Sequence, residues 1–141
     1  MNRLHMLDTD VASDIITKRS PEIEAKLALI PPSHVCISAV TRAELLYGLK
    51  RLPPAHRLHV AVRQFLRLVR SIPWDVEAAD YYADIRHQLA SSGQSIGELD
   101  MMIAAHSLSA GAALITNDTR HYGRVEAPLT LINWAADGDG P

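Results

Sequence analysis

Apolar residues fall along this chain in two regimes: short compact runs, and longer stretches in which they return every three or four positions. The runs are Leu4-His5-Met6-Leu7, Val35-Cys36-Ile37-Ser38, Ala112 to Ile115 and Leu129-Thr130-Leu131-Ile132. Each is too short for a helix and is bounded by turn-forming or polar residues, so each predicts a buried strand. Between them the helical spacing takes over. Val11, Ile15 and Ile16 follow Asp8-Thr9-Asp10 and predict a first helix. Ser20-Pro21-Glu22 then supplies an N-cap, a proline at the first helical position and an acid near the positive end of the dipole, and that helix runs to the stop at Pro31-Pro32.

After the second run, Ala39-Val40 leads into a helix from Thr41 to Leu52, ended by Pro53-Pro54. Residues 55–71 read as a longer amphipathic helix, with Leu58, Ala61, Val62, Phe65 and Leu68 inward and Arg63, Arg67 and Arg70 outward as a basic ridge. Ile72-Pro73-Trp74 is a short extended link. Residues 76–91 form another helix, whose Ala78, Tyr81, Tyr82, Ile85 and Leu89 share one side while Glu77, Asp80 and Asp84 take the other. Over residues 98–110 Leu99, Met102, Ile103, His106 and Ala110 recur at helical spacing, Gly97 caps the start, and Gly111 stands where a helix ends in a left-handed residue. Short apolar strands alternating with helices predict an α/β fold, a three-layer α/β/α sandwich around a central, mainly parallel sheet. One domain is expected over residues 1–135, followed by a flexible tail over 136–141.

Composition adds little to that pattern. The 141 residues are about half apolar, enough for one core and too apolar for a disordered chain. The single cysteine, Cys36, lies inside a strand, cannot form an internal disulfide, and reads as a small buried hydrophobe in a reducing compartment. Asp8 cuts off the first apolar run and no run approaches bilayer length, so a soluble cytoplasmic protein with no membrane partner is expected.

Charge changes the picture more. The net charge is only −2, yet seven Lys or Arg against one acid lie between Arg42 and Arg70, and seven acids against one base lie between Ser71 and Asp118. Such asymmetry suits a polyanionic partner handled near a cluster of acids, although charge runs also arise as solvated helix faces.

The acids fall at chosen places. Asp8, Glu44 and Asp118 follow strands or open the next helix, and Asp100 lies in the first turn of the helix over 98–110. In a parallel sheet all four reach one edge, where ligands of such sheets bind. Carboxylates gathered there repel one another unless cations compensate, which predicts a hard divalent metal, Mg²⁺ or Mn²⁺, and phosphoryl chemistry. Plainer roles stand beside this one. Asp10 serves as a helix N-cap, Thr41-x-x-Glu44 fits a capping box, Asp100 suits a helix dipole, and Asp118 suits a turn. Glu98 is either a dipole acid or a third ligand. His106, on an apolar face, reads as a core histidine, and Phe65, Tyr81 and Tyr82 as packing residues.

Leu7-Asp8-Thr9-Asp10, Ile37 to Glu44, Asp100 to His106 and Ile115-Thr116-Asn117-Asp118 resemble, in order and spacing, the four motifs of the PIN-domain ribonucleases, and among them the VapC toxins of type II toxin–antitoxin modules. The resemblance covers almost the whole chain. It implies a PIN-like fold and a metal-dependent endoribonuclease that cuts RNA, with transfer RNA as a candidate substrate. Asp8 and Asp100 would be the main Mg²⁺ or Mn²⁺ ligands, Glu44 a further ligand or a positioner of water, and Asp118 the fourth acid. Thr9, Ser38, Thr116 and Asn117 would hydrogen-bond around them. It also implies a homodimer and a cognate VapB-like antitoxin that blocks the acidic pocket. Arg63, Arg67 and Arg70 are the candidate contacts to the RNA backbone, with an affinity that falls steeply with salt. The chain departs from the family in Asp10, where Asn is usual, and in the extra acid Glu98.

Two other readings compete. Asp8-x-Asp10 after a strand, with Thr116 after another, resembles the motifs of haloacid-dehalogenase-like phosphatases, but that chemistry needs a downstream lysine and none follows Lys50. A non-catalytic interaction module, with the acids as mere caps, would bind no metal tightly.

Overall fold

The computed structural model describes residues 3–135. Five strands, β1 (His5–Leu7), β2 (Val35–Ser38), β3 (Arg70–Ile72), β4 (Ala113–Ile115) and β5 (Leu131–Ile132), form one sheet in the order β3-β2-β1-β4-β5, with every neighbouring pair parallel. Seven helices connect them: α1 (Thr9–Ile16), α2 (Pro21–Ala28), α3 (Ala39–Lys50), α4 (Leu58–Leu68), α5 (Val76–Ser91), α6 (Glu98–Ala110) and α7 (Thr119–Tyr122). The tail expected over 136–141 lies outside the described residues.

The inner strands β2 and β4 are buried throughout and β1 at Met6 and Leu7, as a sheet covered by helices on each side requires, while the edge strands β3 and β5 are partly exposed. Leu7, Val35, Ile37, Ala113 and Ile115 point into one core with Val11 of α1, Ile23 of α2, Leu45 and Leu49 of α3, and Val62 and Phe65 of α4. Leu114 points the other way, into a second core made chiefly by α5 and α6 through Ile85, Leu89, Met101, Ile103 and Ala104. This alternation is the period-2 signature of a strand, and it makes the three layers. Gly97 (φ 87°) and Gly111 (φ 65°) bracket α6 in conformations with positive φ, the second as the helix stop that the sequence suggested.

Several expectations are corrected. The helix read over 55–71 occupies only Leu58–Leu68. Val69 turns extended (φ −107°, ψ 126°), and Arg70 to Ile72 pair with Cys36 to Ser38 as a fifth strand. Local periodicity could not foresee this, because the strand exists only where β2 offers it an open edge; Pro73 then ends it. Arg70 therefore leaves the helix, and the predicted ridge splits into Arg63 and Arg67 on α4 and Arg70 on the edge strand. Leu68 and Tyr81, expected inside, are exposed at 79% and 37%. Helix α3 starts at Ala39 rather than Thr41, because Ser38 caps it through Val40 N–H at 3.0 Å. The capping box of Thr41 and Glu44 therefore does not form.

Cys36 and His106 behave as expected. Cys36 is buried and burial pushes its thiol up to about 12, so it stays protonated and inert. His106 is buried, and burial lowers its pKa. Among the described residues no helix is long and apolar enough to cross a membrane.

Candidate active site

Parallel pairing sets Leu7 beside both Ile37 and Ile115. The next residue of each strand is Asp8, Ser38 and Thr116, so three chain segments leave the sheet together at its carboxyl edge. Asp8 turns straight into α1, and it, not Asp10, is the N-cap: its Oδ1 accepts the Val11 N–H at 2.8 Å. Its N–H makes a last bond to the neighbouring strand, at Ile115 O (3.0 Å), while its carbonyl already accepts the Ala12 N–H at 3.0 Å as the first bond of the helix. The side chain is left 5% exposed. Burial raises its carboxyl from an ordinary 3.8 to about 6, and the negative charges of Asp10 and Asp100 add to the rise. Hydrogen bonds from Thr116 and from Val11 pull the other way.

Asp100 approaches from the first turn of α6 on the opposite side. Its Oδ1 accepts the Tyr122 hydroxyl at 3.1 Å, and its Oδ2 lies 3.1 Å from His121 Nε2. Burial, followed by the charges of Asp100, Asp8 and Asp10 and the Asp100 hydrogen bond, drives the Tyr122 hydroxyl far above its ordinary range, so it remains a donor. Asp8, Asp10 and Asp100 thus share one electrostatic neighbourhood with Tyr122.

Glu44, on the second turn of α3, is tied to the same edge by Thr9, which donates to Glu44 Oε1 at 2.5 Å. Thr9 Oγ1 also lies 3.0 Å from Thr41 Oγ1. Since the Thr9 hydrogen goes to Glu44, Thr41 is the donor to Thr9, and the three residues form a directed chain. Asp118 caps α7 by accepting the His121 N–H at 3.1 Å and is exposed. Thr116 links it to Asp8: the Thr116 hydroxyl bonds the Asp8 carboxylate and accepts the Asp118 N–H at 3.0 Å.

The remaining predicted residues stand apart. Ser38 is fully buried and bonds His106 Nδ1 at 2.8 Å rather than an acid. Asn117 donates to Asp14 at 3.1 Å. Glu98 is drawn away by an ion pair with Arg86 at 3.2 Å and by Tyr82, whereas Asp10, exposed in the first turn of α1, still adds its charge to the site. Arg63 lines a cleft of 710 Å³ with Leu46, Lys50, Pro54 and His59, which holds none of the four acids. His121 and Tyr122 are the side chains that sequence reasoning missed; a four-residue helix carries no periodicity to flag them.

Among the described residues no three of His, Cys, Asp and Glu converge into a ready-made metal cage. The acids that act on one another at this edge are Asp8, Asp10 and Asp100, through their charges, with no thiolate among them. That set suits Mg²⁺, which keeps several waters and binds through one or two carboxylates, better than it suits Zn²⁺.

Residues 5–127 match the PIN domain family. The tRNA(fMet)-specific endonuclease VapC of Salmonella typhimurium is 36% identical over 92% of this chain and 96% of its own length. The protein of the same description from Shigella flexneri is 32% identical over 92% of this chain and 97% of its own. Among solved structures, DNA-bound VapBC from Salmonella typhimurium covers 94% of this chain and 98% of its own with a TM-score of 0.86 at 30% identity. VapBC2 from Rickettsia felis bound to a promoter DNA fragment covers 93% and 98%, with a TM-score of 0.84 at 28% identity.

Proposed function

From the premise that this chain belongs to the PIN-domain family, which the match over residues 5–127 shows, we propose that it is a VapC-type toxin: a metal-dependent endoribonuclease of a toxin–antitoxin module. One observation carries the site assignment. Asp8 and Asp100, far apart in sequence, come within electrostatic reach at the carboxyl edge of the sheet, with Asp8 held protonation-prone by burial and by its neighbours. Asp8 is buried while the Asp100 side chain is 42% exposed, and a buried carboxylate that feels a second negative charge lowers stability unless something positive joins it.

Asp8 and Asp100 would hold Mg²⁺ or Mn²⁺, and a cation there supplies charge neutralisation and an acidified water for attack on a phosphodiester. Glu44, which accepts a hydrogen bond from Thr9, would orient that water, and Asp118 would complete the acidic edge. Thr116 aligns Asp8 and Asp118 by bonding both. The relatives named for tRNA(fMet) cleavage make transfer RNA the first substrate class to test. The VapBC neighbours support a cognate antitoxin, and in this reading it would cover the acids. Arg63 and Arg67 share one face of α4 as candidate contacts to the RNA backbone, with Arg70 reaching from the edge strand; a homodimer and a cytoplasmic setting belong to the same reading.

Asp100→Asn is the direct test. The variant should lose Mg²⁺-dependent cleavage of transfer RNA and toxicity on expression, with the cleavage site mapped in wild type from RNA 5′ ends after a brief induction. Cleavage by the variant at the wild-type rate refutes the assignment.

A further inference from the structure

An acid in the first turn of a helix commonly bonds the free N–H groups of its own helix. Asp100 does otherwise: both of its oxygens turn to α7, one to Tyr122 and one to His121. We propose, resting on the metal-site reading above, that Tyr122 and His121 are positioning residues which clamp the two oxygens of Asp100 and hold its carboxylate toward Asp8 for a divalent cation.

The clamp follows from how each donor is itself held. The Tyr122 ring is 3% exposed and packed in the core beneath α5 and α6, so its hydroxyl has little freedom. It meets Asp100 Oδ1 at 3.1 Å. His121 Nε2 faces two acceptors, Ile96 O at 2.7 Å and Asp100 Oδ2 at 3.1 Å. Two acceptors assign the hydrogen to Nε2, which then spans the segment before α6 and the acid itself. The two rings stand edge to face, 5.4 Å between centroids at 83°, so each limits the other's rotation.

A free aspartate turns easily about its terminal bond, where the rotamer wells are broad. Two donors on different oxygens remove that freedom. They occupy about two of the roughly four lone-pair directions of the carboxylate and leave a direction on each oxygen for a cation. The hydrogen-bond partners of metal ligands set ligand orientation, and their loss typically costs about 10- to 100-fold in metal affinity or activity. Asp118 brings both residues to the site, since it caps the short helix on which they sit.

The test uses the full chain and Mn²⁺ alone as probe, titrated by electron paramagnetic resonance without RNA, and compares wild type with Tyr122→Phe, His121→Leu, His121→Gln and Asp100→Asn. Wild type should bind Mn²⁺ and Asp100→Asn should not. Tyr122→Phe and His121→Leu should each bind about tenfold or more weakly, and His121→Gln, which keeps an N–H at similar reach, should recover part of the loss. Melting in EDTA is recorded alongside, because a packing role alone lowers the melting temperature without moving Mn²⁺ affinity. His121 is only half-buried, so its variants report even where Tyr122→Phe is unstable. If His121→Leu and every folded Tyr122 variant bind Mn²⁺ within about twofold of wild type while Asp100→Asn does not, the clamp is refuted and the metal site stands. Equal binding by wild type and Asp100→Asn removes the metal site and the clamp with it.

Discussion

Replacing Asp8 by asparagine should make the metal-free protein more stable while abolishing its cleavage activity. The carboxyl of Asp8 is raised from 3.8 to about 6, first by burial, and its residue is 5% exposed. The folded protein therefore holds this proton more tightly than the unfolded chain does. Protonation supports the fold fully below pH 3.8, and that support is lost as pH rises through about 6. At 1.36 kcal/mol for each tenfold change in proton affinity, the ionised group costs roughly 3 kcal/mol at neutral pH, an upper figure because local relaxation reduces it. Asparagine removes the charge and keeps the contacts. It caps helices as well as aspartate does, its oxygen can accept the Val11 N–H, and its NH₂ can donate to the Thr116 hydroxyl. Urea denaturation in EDTA should show Asp8→Asn more stable than wild type by about 1–3 kcal/mol at neutral pH, with the gap closing near pH 4. Added Mg²⁺ should then stabilise wild type and leave the variant unchanged. A gap of the same size at both pH values, or a wild type more stable than the variant at neutral pH without metal, would show that this carboxylate is not under strain.

Two further substitutions test how the edge is built. Ser38→Ala removes the cap of α3 and leaves His106 Nδ1 without its 2.8 Å partner in a buried place, so urea unfolding should show a loss of about 1–3 kcal/mol. Gly97→Ala puts a side chain at φ 87°, and backbone strain should lower stability by about 1 kcal/mol or more in the same assay; its Cβ would lie at an ordinary contact distance, 3.8 Å, from Asp100 Oδ2, so the acid itself should stay in place.

How much of this was legible beforehand varies by residue. Leu114 and Ile115 announced a buried strand because a covered parallel strand has no polar face to show, and Gly97 and Gly111 announced the ends of α6 because few other residues adopt those angles. Once the strands were known to be parallel, the carboxyl edge followed, and with it the shared electrostatic neighbourhood of Asp8 and Asp100. Capping was harder to read. Asp8 and Asp10 are equally good caps by type, as are Ser38 and Thr41, and the choice depended on where each strand stopped pairing.

Run length, helical spacing and cap chemistry were therefore enough to determine the α/β layering and the sheet edge near which Asp8 and Asp100 lie, because burial repeats along an element with a period that the sequence records. Only the tertiary structure decided that Arg70 to Ile72 form a strand, that Arg86 draws Glu98 out of the acidic edge, and that Tyr122 and His121 grip Asp100. Each of those outcomes is a pairing between groups distant in the chain, fixed by register and packing to within a fraction of an ångström, and no local pattern of residues encodes which partner will be within reach.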